Sequence, residues 1–136
     1  MEKDTPKQKK PSGIDPLLNE WKRGMLTFWA LGLVVIQPRY GLEIRKEIES
    51  SSLGGIRMGV STIYQIMRRL ERRGLVECHW EHTTLGPPRA IYSATQSGRD
   101  VIQCYLLEVF SPQSPIPSAL GSLIGQMTTV LSGDIK

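Results

Sequence analysis

A chain of 136 residues, 40% of them hydrophobic and 22% charged, can bury one ordinary core and has room for one domain with a small appendage. Its formal charge of +4 and pI of about 9.3 lean toward a polyanionic partner. Two cysteines make no disulfide framework, the amino end lacks the apolar core of a signal peptide, and the longest apolar run, residues 30–36, is too short to span a bilayer. The expectation is a soluble cytoplasmic protein with no membrane partner.

Residues 1–13 are Lys-rich, contain Pro6, Pro11 and Gly13, and have no apolar period, so they read as a disordered basic arm. Asp15-Pro16 is a helix start, with Asp as N-cap and Pro at the first helical position. Apolar residues continue from Leu17 to Ile36, with Gly24 and Gly32 as candidate breaks between two helices. The later part is apolar nearly all round, as in a central helix, and offers more apolar surface than a small monomer needs, which points to a partner subunit. After Pro38, the four-residue spacing of Tyr40, Ile44 and Ile48 predicts a short helix over residues 41–49, and residues 50–59 form a Ser- and Gly-rich loop.

Residues 61–74 separate into two faces. Ile63, Ile66, Met67 and Leu70 form an apolar stripe; Ser61, Gln65, Arg68 and Arg72 line up opposite, with Thr62 and Arg69 beside them. Ser61 is the expected N-cap and Gly74 the expected C-terminal stop. Tyr64 sits at the flank between the stripes, where it can serve the core, a phosphate contact or both. A basic helix face is usually only a solvated one. Here, however, small hydroxyls, an amide and then guanidinium groups follow one another, an order that suits a helix entering a DNA major groove by its N-terminus.

The period then changes. Over residues 75–82, Val76, Cys78 and Trp80 alternate with Glu77, His79 and Glu81, which predicts a half-buried strand. Residues 83–88 read as a turn, and residues 89–94 as a second strand with Ala90 and Tyr92 on one face, completing a hairpin. Thr95, or Ser97 with Asp100 three positions on, caps a helix bearing Val101, Ile102, Tyr105, Leu106 and Val109. Three prolines keep residues 111–117 from being helical. Residues 118–131 make a last weak helix with Leu120, Leu123, Ile124 and Met127 inward, weakened by Gly121 and Gly125.

Three helices, a hairpin and a further helix describe an α+β, mainly α fold of the winged helix-turn-helix plan, occupying residues 14–110 ahead of a Pro-broken segment at 111–136. In that plan the third helix reads the major groove and the hairpin tip, the wing, meets flanking backbone or minor groove. Basic or polar groups occur at both places. Arg68, Arg69 and Arg72 mark the helix; His82, Thr83, Thr84 and Arg89 surround the wing tip.

Four segments, W-K-R-G-M-L, P-R-Y-G-L-E-I, S-T-I-Y-Q-I-M-R-R-L-E-R-R-G-L-V and G-P-P-R-A-I-Y-S-A-T-Q-S-G-R, together resemble the PadR family of transcriptional regulators over residues 21–105. The resemblance implies a winged-helix homodimer, paired through its first and last helices, that represses transcription at a two-fold operator on double-stranded DNA. It places Thr62, Tyr64, Gln65, Arg68 and Arg69 in the groove-reading or phosphate-contacting group, and gives Gly86, Pro88 and Arg89 the wing. The chain departs from the family at Leu42, where an aromatic is usual, and at Pro87, where a base is usual. It also has no Trp in the helix after the wing, which speaks against a planar-drug sensor. Among small members with a basic amino-terminal arm it is similar to a circadian clock modifier, which implies a clock gene as target.

Other chemistry finds little support. Cys78, His79 and His82 lie close in sequence, but on a strand Cys78 and His79 face opposite ways and no fourth ligand is evident, so no metal and no other cofactor is expected. No nucleophile elbow, Gly-rich phosphate loop or His-activated nucleophile is present, so no catalytic residue is assigned. Tyr40, Tyr64 and Tyr92 read as packing residues with polar tips, and the tryptophans as core and dimer contacts. Two alternatives stand beside the repressor. One is a ligand- or drug-responsive repressor with an apolar pocket at the dimer interface, although no residue points to a small-molecule effector. The other is a protein-interaction module that uses the fold without DNA.

Overall fold

The structure, a computed structural model, describes residues 16–133; the amino-terminal arm and the Asp15 cap lie outside them. Helix α1, Pro16–Ile36, is a single 21-residue helix. Gly24 and Gly32 do not divide it. A mid-helix glycine costs only about 1 kcal/mol against alanine, and the burial of Leu26, Ala30, Leu31, Leu33 and Val34 along the same helix outweighs that.

Strand β1 is the dipeptide Arg39–Tyr40, and helix α2 follows at Gly41–Ser51. The Tyr40 N–H donates to Glu43 Oε1 at 2.9 Å, satisfying a backbone donor at the helix entry. Helix α3 is Val60–Arg72. Its N-cap is Gly59, with extended backbone, and not Ser61. Helical geometry begins at Val60, so Ser61 already lies inside the first turn. The other end follows expectation. Gly74 takes φ +73°, its N–H bonds to Glu71 O at 2.9 Å and that of Leu75 to Leu70 O at 3.0 Å, the paired closure of a Schellman motif.

Strands β2, Val76–Thr83, and β3, Gly86–Ala94, form the hairpin, closed by a two-residue turn at Thr84 and Leu85. That turn is shorter than expected, because Gly86, Pro87 and Pro88 already belong to β3. The sheet has three strands in the order β1-β3-β2, Arg39 pairing Tyr92 and Tyr40 pairing Ile91. Val76, Ala90 and Tyr92 are buried, whereas Trp80, on the same predicted face as Val76, is 62% exposed because the hairpin runs out past the core.

Helix α4, Gln96–Glu108, is capped by Thr95: its hydroxyl accepts from the Gly98 N–H at 3.1 Å and donates to Gly74 O at 2.7 Å. Of the apolar residues this helix bears, Ile102 is buried, whereas Tyr105 and Leu106 are exposed. Phe28 of α1 meets Tyr105 and Phe110 with ring centroids 4.7 and 5.5 Å apart. Helix α5 spans Ile116–Gly133, two residues earlier than expected, since Pro117 in the first turn gives up no needed N–H. No residue of α5 is buried, so Leu120, Leu123, Ile124 and Met127 do not point into this chain's core. The centre of that core is Ala30 and Val34 of α1, Ile44 and Ile48 of α2, Ile63, Met67 and Leu70 of α3, and Val76 of β2. No described helix is long and apolar enough to cross a membrane.

Candidate nucleic-acid interface

Burial sorts the residues of α3 into three sets. Ile63, Ile66, Met67 and Leu70 are buried against the core, which fixes the rotation of the helix. Ser61, Gln65, Arg68 and Arg72 are then forced outward, and all four are exposed. Neither Arg68 nor Arg72 has an ion pair or side-chain hydrogen bond among the described residues. Thr62 and Arg69 lie on one flank, in a cleft against α1; Tyr64 lies on the other, facing the hairpin.

The Tyr64 flank opens on a groove of about 430 Å³ lined by Tyr40 and Leu42 at the start of α2 and by Trp80, Pro88 and Arg89 of the hairpin. A Cβ on Gly41 would lie 2.7 Å from Tyr64 Cε1, so only glycine lets the Tyr64 ring rest on the entry to α2. The Arg89 guanidinium stacks over the Tyr40 ring, 4.2 Å from its centroid. The Tyr40 hydroxyl donates to a carboxylate oxygen of Glu81, which stands directly across the hairpin from Arg89. That hydrogen bond is the main reason the Tyr40 hydroxyl is held above its usual pKa.

Tyr64 and Arg89 thus share one groove, while Thr62, Gln65 and Arg69 share the cleft on the opposite flank. Thr84 stands apart at the hairpin tip beside Leu85, which is 94% exposed. Arg89 is set back from that tip, anchored toward α2. Sequence reasoning missed Tyr40 and Glu81 as the residues holding Arg89, because their meeting depends on a two-residue strand pairing with β3 some fifty positions later. Of the cluster weighed as a metal site, Cys78 is half-buried and burial pushes its thiol up, and exposed His79 lies 3.7 Å from Glu77.

The model of the PadR-like transcriptional regulator family matches residues 30–104, more than half of the chain. The chain belongs to that family. Members of the PadR-like family are transcriptional regulators and not enzymes. An uncharacterised Lysinibacillus sphaericus protein is 30% identical over 77 residues, 57% of this chain and 71% of that one. Among solved structures, a PadR-like transcription factor from Bacteroides fragilis shares the fold at TM-score 0.59 and 20% identity, over 85% of this chain and 99% of its own. Bacillus subtilis PadR, solved in complex with operator DNA, aligns at TM-score 0.56 and 19% identity over 62% of this chain and 48% of its own. Pex from Synechococcus aligns at TM-score 0.51 and 19% identity over 61% of this chain and 78% of its own, so the likeness to it is one of fold. The five helices and the small three-stranded antiparallel sheet of the described residues match the PadR winged-helix fold, with β1 at the sheet edge beside β3.

Proposed function

We propose that this PadR-like protein is a sequence-specific repressor that acts in the cytoplasm as a homodimer on a two-fold operator in double-stranded DNA. The observation that carries the reading is the exposed stripe of Ser61, Gln65, Arg68 and Arg72 on α3, whose guanidinium groups have no ion pair among the described residues. The stripe offers base-reading groups first and phosphate-binding groups after them, with Tyr64 and Arg89 alongside. The operator complex of B. subtilis PadR lends the reading support by likeness of fold.

Pairing of two copies is supported by apolar side chains that this chain leaves uncovered. Trp21 on α1 is 64% exposed, Phe110 after α4 is 53% exposed, and α5 carries Leu120, Leu123, Ile124, Met127 and Leu131 in one helical stripe. In this reading residues 14–110 are the DNA-binding domain, residues 111–136 add dimer surface and residues 1–13 are a basic arm. A clock gene is the narrower target implied by the likeness to Pex.

Selection of bound fragments from the source genome tests the proposal. Fragments sharing a two-fold motif are the expected result, with a clock gene among them if the narrower target is right. Gln65→Ala should then relax discrimination at one or two base pairs by about 1–3 kcal/mol and leave binding to random duplex unchanged. Equal losses on both duplexes would refute the base-reading role. No enriched fragment would favour a protein-interaction module.

A further inference from the structure

The core-facing side of α1 changes chemistry along its length. Leu26, Ala30, Leu33 and Val34 are buried on it, and up to two turns earlier the same side carries Asn19, Lys22 and Arg23. Those turns overhang the start of α3 and leave a cleft of about 440 Å³ between the two helices and the loop ahead of α3. Four cations line it, Lys22, Arg23, Arg57 and Arg69, and among the described residues no lining residue is acidic. The nearby carboxylate of Glu49 is already engaged, 3.3 Å from Arg45 Nη1 and 3.4 Å from the Met58 N–H. The amino end of α3 opens toward the cleft through Gly59 and Thr62, and no acid in its first turn offsets the positive pole. Glu20 shares an adjoining hollow with Arg23, but among the described residues neither it nor Glu49 forms an ion pair with a cleft cation. Cations gathered without ion-pair partners repel one another, and an arriving anion relieves that repulsion.

We infer that this cleft binds phosphodiesters of the DNA strand that borders the major groove on the side away from the hairpin. Gln65 belongs both to the exposed stripe of α3 and to the cleft lining, so a duplex seated on the stripe brings its backbone to Lys22, Arg23 and Arg57. The inference rests on the proposed DNA binding and adds α1 and the loop before α3 to the interface. The two flanks of α3 then each meet one strand: Tyr64 and Arg89 on one, the four-cation cleft on the other.

The test measures affinity for a selected operator and for random duplex, by fluorescence anisotropy over a range of salt. It compares wild type, Arg57→Ala, Lys22→Ala with Arg57→Ala, and Arg99→Ala on α4 as a charge control outside the cleft. Lys22 and Arg57 are exposed, and far-UV circular dichroism checks that their variants fold. The slope of log affinity against log salt should flatten by about one for each cleft cation removed, with equal loss of affinity on both duplexes. Arg99→Ala should keep the wild-type slope. Cleft variants that keep the wild-type slope, or an Arg99→Ala loss of the same size, would overturn the inference while leaving DNA binding intact. A wild type that binds neither duplex would overturn the DNA reading itself. ATP, titrated calorimetrically as a free phosphate source, should show no saturable binding. Saturable ATP binding abolished by Arg57→Ala, with the DNA slope unchanged, would reassign the cleft to a nucleotide.

Discussion

Gly98 stands where the start of α4 crosses the end of the α3 turn, and replacing it by alanine should destabilise the fold. An added Cβ would clash with Leu75 O and lie 3.1 Å from Leu75 C and 3.4 Å from Leu31 Cδ1. The closest atoms are backbone, so no side chain can rotate out of the way and the two segments must separate. Separation stretches the bonds that join them, Thr95 N–H to Leu75 O at 3.1 Å and the Thr95 hydroxyl to Gly74 O at 2.7 Å. Overpacking costs about 1–3 kcal/mol and each weakened hydrogen bond about 0.5–1.5 kcal/mol, against about 1 kcal/mol gained in helix propensity. The net loss for Gly98→Ala is about 1–5 kcal/mol with its middle near 3, a fall of roughly 10 °C in melting midpoint for a domain of this size. Urea and thermal unfolding should be compared at one fixed protein concentration, because the proposed pairing would make stability concentration-dependent. Gly24→Ala, where nothing lies within 4 Å of the new methyl, is the contrast and should stabilise by up to about 1 kcal/mol. A Gly98→Ala protein as stable as wild type would refute the close approach of α4 to the Leu75 backbone.

Three further outcomes follow from particular contacts. Tyr40→Phe removes the hydroxyl that occupies Glu81, leaving that carboxylate to draw Arg89 away from its proposed phosphate contact; affinity should fall slightly and equally on operator and random duplex, and loss on the operator alone would count against the anchoring role. Burial raises the pKa of both the Cys78 thiol and the Tyr92 phenol, so the fold favours their neutral forms. The stability they contribute is complete below about pH 9, where the unfolded thiol begins to ionise, and is lost as pH rises further. Urea midpoints should therefore fall between about pH 9 and 11, less steeply for Tyr92→Phe; midpoints that rise would contradict the sign. Leu123→Glu together with Ile124→Glu, both 49% exposed on α5, should shift sedimentation toward monomer and weaken operator binding; unchanged dimer mass would remove α5 from the pairing surface.

Much of the recognition element was legible because its signals are local. The apolar period of α3, the left-handed Gly74 and the Thr95 cap each depend on residues within a few positions of one another. What escaped depends on distant partners. β1 is two residues long and exists only by pairing with β3. The anchoring of Arg89 by Tyr40 and Glu81 follows from that pairing, and the cleft at the start of α1 requires that helix to cross α3. Ser61 is not the cap, because hydroxyl preference marks only the neighbourhood of a helix start; Gly59 ends the incoming loop in extended geometry and sets the actual position. Gly24 and Gly32 looked like breaks because propensity weighs each residue alone, whereas the burial of α1 is shared along the whole helix. The stripe on α5 predicts an inward face, yet an amphipathic pattern reports that a face is to be covered without saying by which chain.

Hydroxyl-radical footprinting of a selected genomic fragment is the most direct measurement. Two copies presenting α3 to successive major grooves should protect two patches on one face of the duplex, centred about 10–10.5 base pairs apart and related by a twofold axis. A single patch, or protection no different from that on random DNA, would contradict the dimeric operator-binding account.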